Sequence, residues 1–245
     1  MKDNFSAQAK GYAQFRPHYP PEMIEYIVSL TANKKTALDV ATGNGQVAAE
    51  LARHFETVYA TDISEKQLEN ATQANNLIYK AEPAERTSFE DGMFDLITVA
   101  QAIHWFDFDA FYKEISRILK PDGLFVVMGY GLLDTNPDSD AILRHFYHDI
   151  TGPYWDPERR YLDENYKTIP FPFDEISTEN FSNTFTWTFG QLTGYLNTWS
   201  AVQHYVKQNG TNPLNLIYDD LEKSWGKSDG RVTFPLLLRL GKLKS

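Results

Sequence analysis

Short apolar segments alternate with segments of helical spacing from residue 36 to residue 130, and this alternation limits the fold more than any other feature. Each apolar segment has the length of a strand, and the apolar residues of the intervening stretches recur every three or four positions. Strands that alternate with helices in this way form a parallel sheet with helices on both faces. The predicted strands are 36–41, 57–61, 77–80, 94–100 and 124–128, and the helices predicted between them are 46–54, 64–74 and 108–119.

The flanking segments fit one domain over residues 1–245. A helix is predicted at 22–30, and the segment before it, 1–21, contains several prolines that prevent a continuous helix. We expect this amino-terminal segment to act as a lid on the fold. Prolines and aromatic residues crowd the stretch after residue 130, which indicates a cap insertion over about 131–180.

The last part of the chain, 181–245, has a strand, helix and strand pattern that would complete the sheet. Strands are predicted at 182–189 and 231–239, with a helix at 191–206, and Pro235 favours an edge or bulged position in the last strand. The predicted fold is therefore α/β: a doubly wound, Rossmann-like, mostly parallel seven-stranded sheet. Its last strand is antiparallel, its binding core lies at 36–130, and the cap is an insertion in the carboxyl-terminal half.

The charge balance and the missing cysteines exclude several classes of function. Lys and Arg total 23 against 33 Asp and Glu, and the net charge of −10 repels nucleic acids and anionic membrane surfaces. With no cysteine, the chain has neither a disulfide framework nor a thiolate zinc site. No apolar run reaches the ~20 residues of a membrane span, and the amino terminus lacks the apolar core of a signal peptide. We expect a cytoplasmic protein that acts on a small molecule, with no nucleic-acid or membrane partner.

A glycine turn and two acids suggest a nucleoside cofactor. Gly43 and Gly45 follow the first predicted strand and open a helix, where a ligand can approach backbone N–H groups. Asp62 ends the second strand, a position from which a carboxylate reaches ribose hydroxyls. These glycines also fit a dinucleotide fingerprint, so a nicotinamide cofactor stays open. Asp39 would repel a pyrophosphate, however, and favours a cationic ligand such as S-adenosylmethionine.

The same residues resemble motifs of the class I S-adenosylmethionine-dependent methyltransferases, type 11 subgroup. Residues 39–45 (DVATGNG) resemble motif I, Asp62 the motif II acid, 94–105 the fourth strand, and 117–123 the lysine-proline-glycine turn. At the amino terminus, the segment with Phe5, Tyr12, Arg16-Pro17 and Tyr19-Pro20 is similar to that of relatives of trans-aconitate methyltransferase. The resemblance implies S-adenosylmethionine as cofactor and methyl transfer as activity.

The resemblance also implies roles for individual residues. Gly43 and Gly45 would line the methionine part, Asp62 the ribose, and Ala84 with Glu85 the adenine. Ala41 stands where the family usually has a glycine, and because alanine is small we expect it to be tolerated if its φ is negative. The full set of expected cofactor-binding residues is Tyr12, Arg16, Asp39, Ala41, Gly43, Gly45, Asp62, Ile63, Ala84, Glu85 and Gln101.

The methyl acceptor is open to two interpretations. A carboxylate acceptor is ionised near pH 7 and needs only cations to hold it, and Arg16, His18, Arg159 and Arg160 could supply them. An acceptor that must lose a proton needs a base, and His104 is then the candidate catalytic residue. The residues expected to bind the acceptor are His18, Tyr19, His104, Trp105, Trp155 and Trp199.

Three further interpretations are weighed against this one. His145 and His148, with Asp149, have a spacing that a metal could use, but no third strong ligand accompanies them, so a solvated helix and no metal are predicted. An NAD(P)-dependent oxidoreductase is the alternative enzyme class. A protein that binds the cofactor without transferring a methyl group is the third possibility.

Overall fold

The computed structural model describes residues 17–244, and these form a mostly parallel sheet with helices on both faces. The strand order is β3-β2-β1-β4-β5-β8-β6, and β7 pairs with β8 beside this path. Strands β1 to β5 are parallel to one another, whereas β8 is antiparallel to β5, β6 and β7. The strands are β1 (Thr36–Val40), β2 (Thr57–Asp62), β3 (Leu77–Ala81), β4 (Phe94–Ala100), β5 (Leu119–Tyr130), β6 (Asp174–Ile176), β7 (Ser182–Thr186) and β8 (Arg231–Lys242). The predicted α/β fold is confirmed, with an antiparallel last strand.

The central strands are apolar along their length because both of their faces are covered. β1 is buried from Ala37 to Val40 and β4 from Phe94 to Val99. Side-chain caps begin two of the covering helices: the Ser64 hydroxyl accepts from the Gln67 N–H at 3.4 Å, and Asp107 starts the helix after β4. The helices are α1 (Pro21–Ser29), α2 (Gln46–Leu51), α3 (Glu65–Glu69), α4 (Phe108–Ile118), α5 (Pro137–His145), α6 (Arg160–Asp163), α7 (Phe189–Asn197), α8 (Ser200–Asn209) and α9 (Tyr218–Trp225).

One predicted helix is two helices in the structure. The prediction at 191–206 is wrong at Thr198–Trp199, where α7 ends and α8 begins. The Thr198 hydroxyl donates to the Tyr195 carbonyl at 2.7 Å, and Trp199 has extended backbone. Because of this break, the Trp199 ring packs in a cluster with the rings of Phe146 and Trp155. The helices predicted at 46–54 and 64–74 are also shorter, as α2 and α3.

The cap begins after β5, as predicted, but differs from its predicted limit at the carboxyl end. Residues 174–176 form sheet strand β6 rather than part of the insertion, and the helices of 189–225 pack against the first cap segment. Leu143 and Phe146 of the first segment share a core with Leu196 and Leu221 of the second. The cap therefore consists of two chain segments, one between β5 and β6 and one between β7 and β8.

Pro235 lies where β8 changes partners. Residues 231–235 of β8 pair with β7, and residues 236–241 pair with β5. A proline has no N–H to donate, and at this change of partner its carbonyl accepts from the Gly131 N–H at 3.0 Å. Among the helices of residues 17–244, none has the length and apolar character needed to cross a membrane.

Candidate active site

The glycine turn connects β1 to α2 at the carboxyl end of the sheet. Gly43 and Gly45 have φ of 56° and 79°, the left-handed region that favours glycine. A Cβ on Gly45 would lie 2.1 Å from the Tyr79 hydroxyl oxygen, whereas nothing lies within 4 Å of one built on Gly43. The turn is thus tightly packed on one side and open above Gly43, where a ligand can reach it.

Asp62 is fixed beside this turn by two backbone groups. Its Oδ2 accepts from the Gly43 N–H and its Oδ1 from the Ser64 N–H, both at 2.9 Å. The side chain is buried at the end of β2. A carboxylate oxygen can accept more than one hydrogen bond.

Asp39 lies under the turn and is 1% exposed. Its Oδ2 accepts from the Thr42 hydroxyl at 2.5 Å and its Oδ1 from the Thr98 hydroxyl at 2.7 Å. Burial raises the pKa of Asp39 to about 6, because it outweighs the hydrogen bonds from Thr42 and Thr98, which lower the pKa. The nearby charge of Asp62 also raises the pKa of Asp39. Both carboxylate oxygens of Asp39 therefore accept hydrogen bonds from side chains of the protein. Asp39 positions the turn and adds negative charge beneath it.

Two residues that are not glycine adopt left-handed backbone at the strand ends. Ala41 has φ of 53°, so the condition of a negative φ, under which an alanine would be tolerated here, is not met. The turn that follows β1 imposes this conformation, which is why a glycine suits the position better. Gln101, after β4, has φ of 55°, and its Nε2 donates to the Tyr130 carbonyl at 3.0 Å.

The remaining expected cofactor residues surround this edge. Ile63 is half-buried beside Asp62, and Ala84 is buried in the core below. Glu85 accepts from the Asp107 N–H at 3.3 Å and so ties its loop to the start of α4. Tyr12 and Arg16, like Phe5 of the amino-terminal motif, lie outside the described residues.

A cleft with aromatic walls opens between the sheet edge and the cap. We call it the aromatic cleft; its cavity volume is about 40 Å³, and it opens to solvent. It brings together four of the six residues expected to bind the acceptor, whereas His18 and Tyr19 line a separate pocket beside α1 and α2. The lining residues of the aromatic cleft are Gln101, His104, Trp105, Trp155, Asp156, Arg159, Leu162, Tyr195, Trp199 and Ser200.

Arg159 is held rigidly in this cleft by cap residues. Its Nε donates to the Tyr147 hydroxyl oxygen at 2.7 Å, and that hydroxyl donates to Asp163 Oδ1 at 2.5 Å. The guanidinium carbon lies 4.6 Å from the centre of the Trp155 ring. Within residues 17–244, the two Nη groups donate no hydrogen bond. Arg160, the other candidate cation, is exposed and donates to the Tyr161 hydroxyl at 3.0 Å.

His104 follows β4 and is buried to 5% exposure in the wall of the same cleft. Its Nδ1 lies 3.3 Å from the Tyr166 hydroxyl oxygen, and its ring lies 4.9 Å from that of Trp105. Tyr147, Asp163 and Tyr166 were not predicted from the sequence, because nothing in their local sequence distinguishes two tyrosines from core aromatics or an aspartate from a surface acid.

The histidines of α5 and the turn after it face another part of the surface. His145 Nδ1 and Asp149 Oδ2 are 2.7 Å apart, and both side chains are exposed. Among the described residues, no group of three or more His, Cys, Asp or Glu side chains is arranged to hold a metal.

Comparison with known proteins identifies the family of this fold and site. Residues 38–127 match a family described as a methyltransferase domain, type 11. A methyltransferase of Dictyostelium discoideum is 33% identical over 98% of this chain and 95% of its own length. The S-adenosylmethionine-dependent methyltransferase CRG1 of Saccharomyces cerevisiae is 23% identical over 86% of this chain and 84% of its own.

A solved structure supports the same assignment. A type II methyltransferase of Anaeromyxobacter dehalogenans superposes with a TM-score of 0.87 at 35% identity, over 94% of this chain and all of that one. The Dictyostelium relative and this structure each match more than nine tenths of the chain. The chain belongs to the class I S-adenosylmethionine-dependent methyltransferases.

Proposed function

We propose that the crevice between the glycine turn and Asp62 binds S-adenosylmethionine in a defined orientation. Asp62 would accept hydrogen bonds from the ribose hydroxyls. The open space above Gly43 suits the methionine part, and the negative charge of Asp39 and Asp62 suits a cation. Ile63, Ala84 and Glu85 would flank the adenine, and Gln101 would lie where the cofactor meets the aromatic cleft. When bound, the cofactor supplies a methyl group whose bond to sulfur breaks as a bond to the acceptor forms.

We further propose that the acceptor is a small molecule with a carboxylate, and that Arg159 binds it. The observation that carries this proposal is the guanidinium of Arg159, which lines the cleft with no hydrogen bond from its Nη groups to any described residue. Tyr147 and Trp155 already fix the side chain, so little conformational entropy is lost when an anion binds. A planar guanidinium can hold a carboxylate through two parallel bonds.

The residues of the cleft would then act by alignment. A carboxylate is ionised near neutral pH, so no side chain has to remove a proton from it. Arg159 would hold one end of the acceptor, and the rings of Trp105, Trp155 and Trp199 would exclude water from the path of the methyl group. A ring near the sulfonium would add a cation–π attraction of roughly 0.5–2 kcal/mol.

A base-assisted reaction is the second candidate. It is favoured by the position of His104 in the cleft wall, since an imidazole can take a proton from a hydroxyl, thiol or amine. The two candidate reactions predict different dependences of the methyl-transfer rate on pH above pH 6. A carboxylate acceptor gives a flat rate, whereas an acceptor that needs a base gives a rate that rises with an ionisation near neutrality.

The test uses methyl-labelled S-adenosylmethionine, the purified protein and a metabolite extract, followed by identification of the labelled product. We expect a methyl ester, and R159Q should raise the KM for its parent acid about 10- to 150-fold, the loss of a bond to a charged group. R160Q is the matched control, since Arg160 is exposed and bonded to Tyr161. A labelled ether or amine would contradict the carboxylate proposal. The absence of any labelled product would favour a protein without transfer activity.

A further inference from the structure

The wall of the aromatic cleft contains one carboxylate, that of Asp156. Its Oδ2 is buried, and no group of residues 17–244 donates a hydrogen bond to it. The Nδ1 of His204 is 4.0 Å from this oxygen, too far for a hydrogen bond, and donates instead to the Tyr154 carbonyl at 2.9 Å. A buried carboxylate oxygen to which nothing donates costs free energy, so its presence in a cleft points to a ligand.

The turn that carries Asp156 also carries Arg159. Asp156 precedes the 3₁₀ turn Pro157–Arg159, and its carbonyl accepts from the Arg159 N–H at 2.9 Å. Residues three positions apart eclipse each other in such a turn, which is why both side chains line one cleft. An aspartate before a helical turn usually caps it through the side chain, but the Asp156 side chain makes no such bond.

A ligand in the cleft can reach this carboxylate. The Asp156 side chain keeps 16% of its surface exposed. The torsion that turns the carboxylate of an aspartate is soft, so a small rotation can present either oxygen to a ligand.

The cleft thus presents an anion and a cation that are not paired with each other. Arg159 is held on its far side, where its Nε donates to Tyr147 and lies 3.6 Å from an oxygen of Asp163. Within residues 17–244, no ion pair joins Arg159 to Asp156. Two opposite charges in one cleft suit a ligand with complementary groups at two positions.

We propose that Asp156 is a specificity-determining residue, which accepts a hydrogen bond from a hydroxyl or ammonium group of the acid that Arg159 binds. The inference rests on the proposed function, because it takes the aromatic cleft as the acceptor site. The methyl acceptor would then be a hydroxy acid or an amino acid. A plain acid would bind more weakly, since it leaves the desolvated carboxylate of Asp156 without a donor.

The test compares methyl transfer to matched acids. The acid identified from the metabolite extract is supplied with two analogues, so that the set contains the plain acid, the hydroxy acid and the amino acid of one carbon skeleton. We expect the hydroxy or the amino acid to have a kcat/KM about 10- to 150-fold above that of the plain acid, the value of one bond to a charged group. D156A should remove this preference, mainly through KM.

The D156N variant distinguishes the two donor groups. Its amide oxygen still accepts a hydrogen bond but carries no charge. D156N should therefore keep part of the preference for a hydroxy acid, whereas a preference for an amino acid should be lost as fully as in D156A. Equal kcat/KM for all three acids in the wild type, or an unchanged preference in D156A, would overturn the proposal.

E158A is the matched control. Glu158 belongs to the same turn and carries the same charge, but it is not among the residues that line the aromatic cleft. E158A should keep the wild-type preference, and its loss there would attribute the effect to net charge and overturn the proposal.

R159Q separates this inference from the proposed function. R159Q should raise the KM for all three acids, whereas D156A changes the order among them. If R159Q raises KM and D156A leaves the order unchanged, only the inference on Asp156 fails. If D156A changes the order and R159Q has no effect, the carboxylate site at Arg159 fails and the role of Asp156 stands.

Thermal melting provides a readout that does not depend on the acceptor. Because no group of residues 17–244 donates to Asp156 Oδ2, D156A and D156N should melt at the wild-type Tm or above it. A residue with a structural role would lower the Tm when it is removed. A lower Tm in both variants would overturn the assignment of this carboxylate to a ligand.

Discussion

The stability of the protein should fall between pH 4 and pH 6 because of Asp39. Burial of the carboxyl under the glycine turn raises its pKa from 3.8 to about 6. The side chain is 1% exposed, so solvent does not screen the effect. The difference between the two pKa values corresponds to about 3 kcal/mol of folding free energy.

The direction of this change in stability follows from the pH at which Asp39 ionises in the unfolded chain and in the folded protein. The unfolded chain loses the Asp39 proton near pH 4, and the folded protein keeps it until about pH 6. Between these values the folded state binds more protons, so a rise in pH favours unfolding. Above pH 6 both states are ionised and the loss is complete. D39N carries no charge at any pH and should not show this loss.

The assay is urea unfolding of the wild type and D39N at intervals from pH 4 to pH 7.5. An asparagine loses part of the bonding to Thr42 and Thr98, which lowers stability by an amount that does not depend on pH. The informative quantity is the change with pH: relative to the wild type, D39N should gain about 3 kcal/mol between pH 4 and pH 7.

Asp95 provides a control of opposite sign. Its own burial raises its pKa, but the bonds from Lys120 and Thr36 outweigh that effect, and the net pKa is lowered. Its contribution to stability is present above pH 3.8 and is lost as the pH falls below that value. Relative to the wild type, D95N should therefore stay nearly level from about pH 4 to pH 7.5 and gain stability only when the series is extended below pH 3.8. Parallel wild-type and D39N curves would refute the account of Asp39.

Three further results are expected at the glycine turn. A41G should raise the free energy of unfolding by about 1 kcal/mol, because glycine adopts the left-handed conformation of residue 41 without strain. Thermal melting should then show a Tm higher by roughly 2–4 °C. A lower Tm would contradict the claim that Ala41 is strained. G45A should lower the free energy of unfolding by more than about 1 kcal/mol, since its Cβ meets the Tyr79 hydroxyl, and the same melts would show an unchanged Tm if the contact were unimportant. S-adenosylmethionine should bind more tightly at pH 7 than at pH 5, because Asp39 is then ionised, and calorimetry should show a smaller gain for S-adenosylhomocysteine, which lacks the sulfonium charge.

Much of the cofactor crevice could be predicted from the sequence, because the crevice is formed by the ends of strands. Parallel strands place their carboxyl ends at one edge, so the positions of Gly43, Asp62 and Gln101 in the chain predict their proximity in space. The apolar runs of β1 and β4 predict the buried centre of the sheet for the same reason. The residue types and the regular strand–helix alternation are therefore enough to predict the cofactor crevice and the centre of the sheet.

The conformation of single residues and the cap were not accessible in the same way. An alanine gives no sign of a positive φ, so the strain at Ala41 depends on the turn around it. The three residues of β6 begin with two acids and carry no apolar alternation, since they form a short sheet edge.

The cleft wall depends on contacts between distant segments of the cap. Tyr147 reaches Arg159 and Asp163, and Tyr166 reaches His104 across 62 positions of the chain. In a sequence with 14% aromatic residues, nothing local distinguishes these rings from core packing. The helix break at Thr198 is equally hidden, although it is what directs Trp199 into the cleft.

We propose that an acidic crevice at the ends of β1 and β2 binds S-adenosylmethionine through Asp62. Isothermal titration of the wild type, D62A and D95A with S-adenosylhomocysteine and with NADH tests it directly. D95A is the control, because Asp95 is a buried acid that also holds backbone N–H groups but at the opposite end of the strands. We predict binding of S-adenosylhomocysteine and none of NADH, at least a 5-fold loss of affinity in D62A, about 1 kcal/mol or more, and no loss in D95A. Equal affinity in D62A and the wild type, or binding of NADH alone, would contradict the claim.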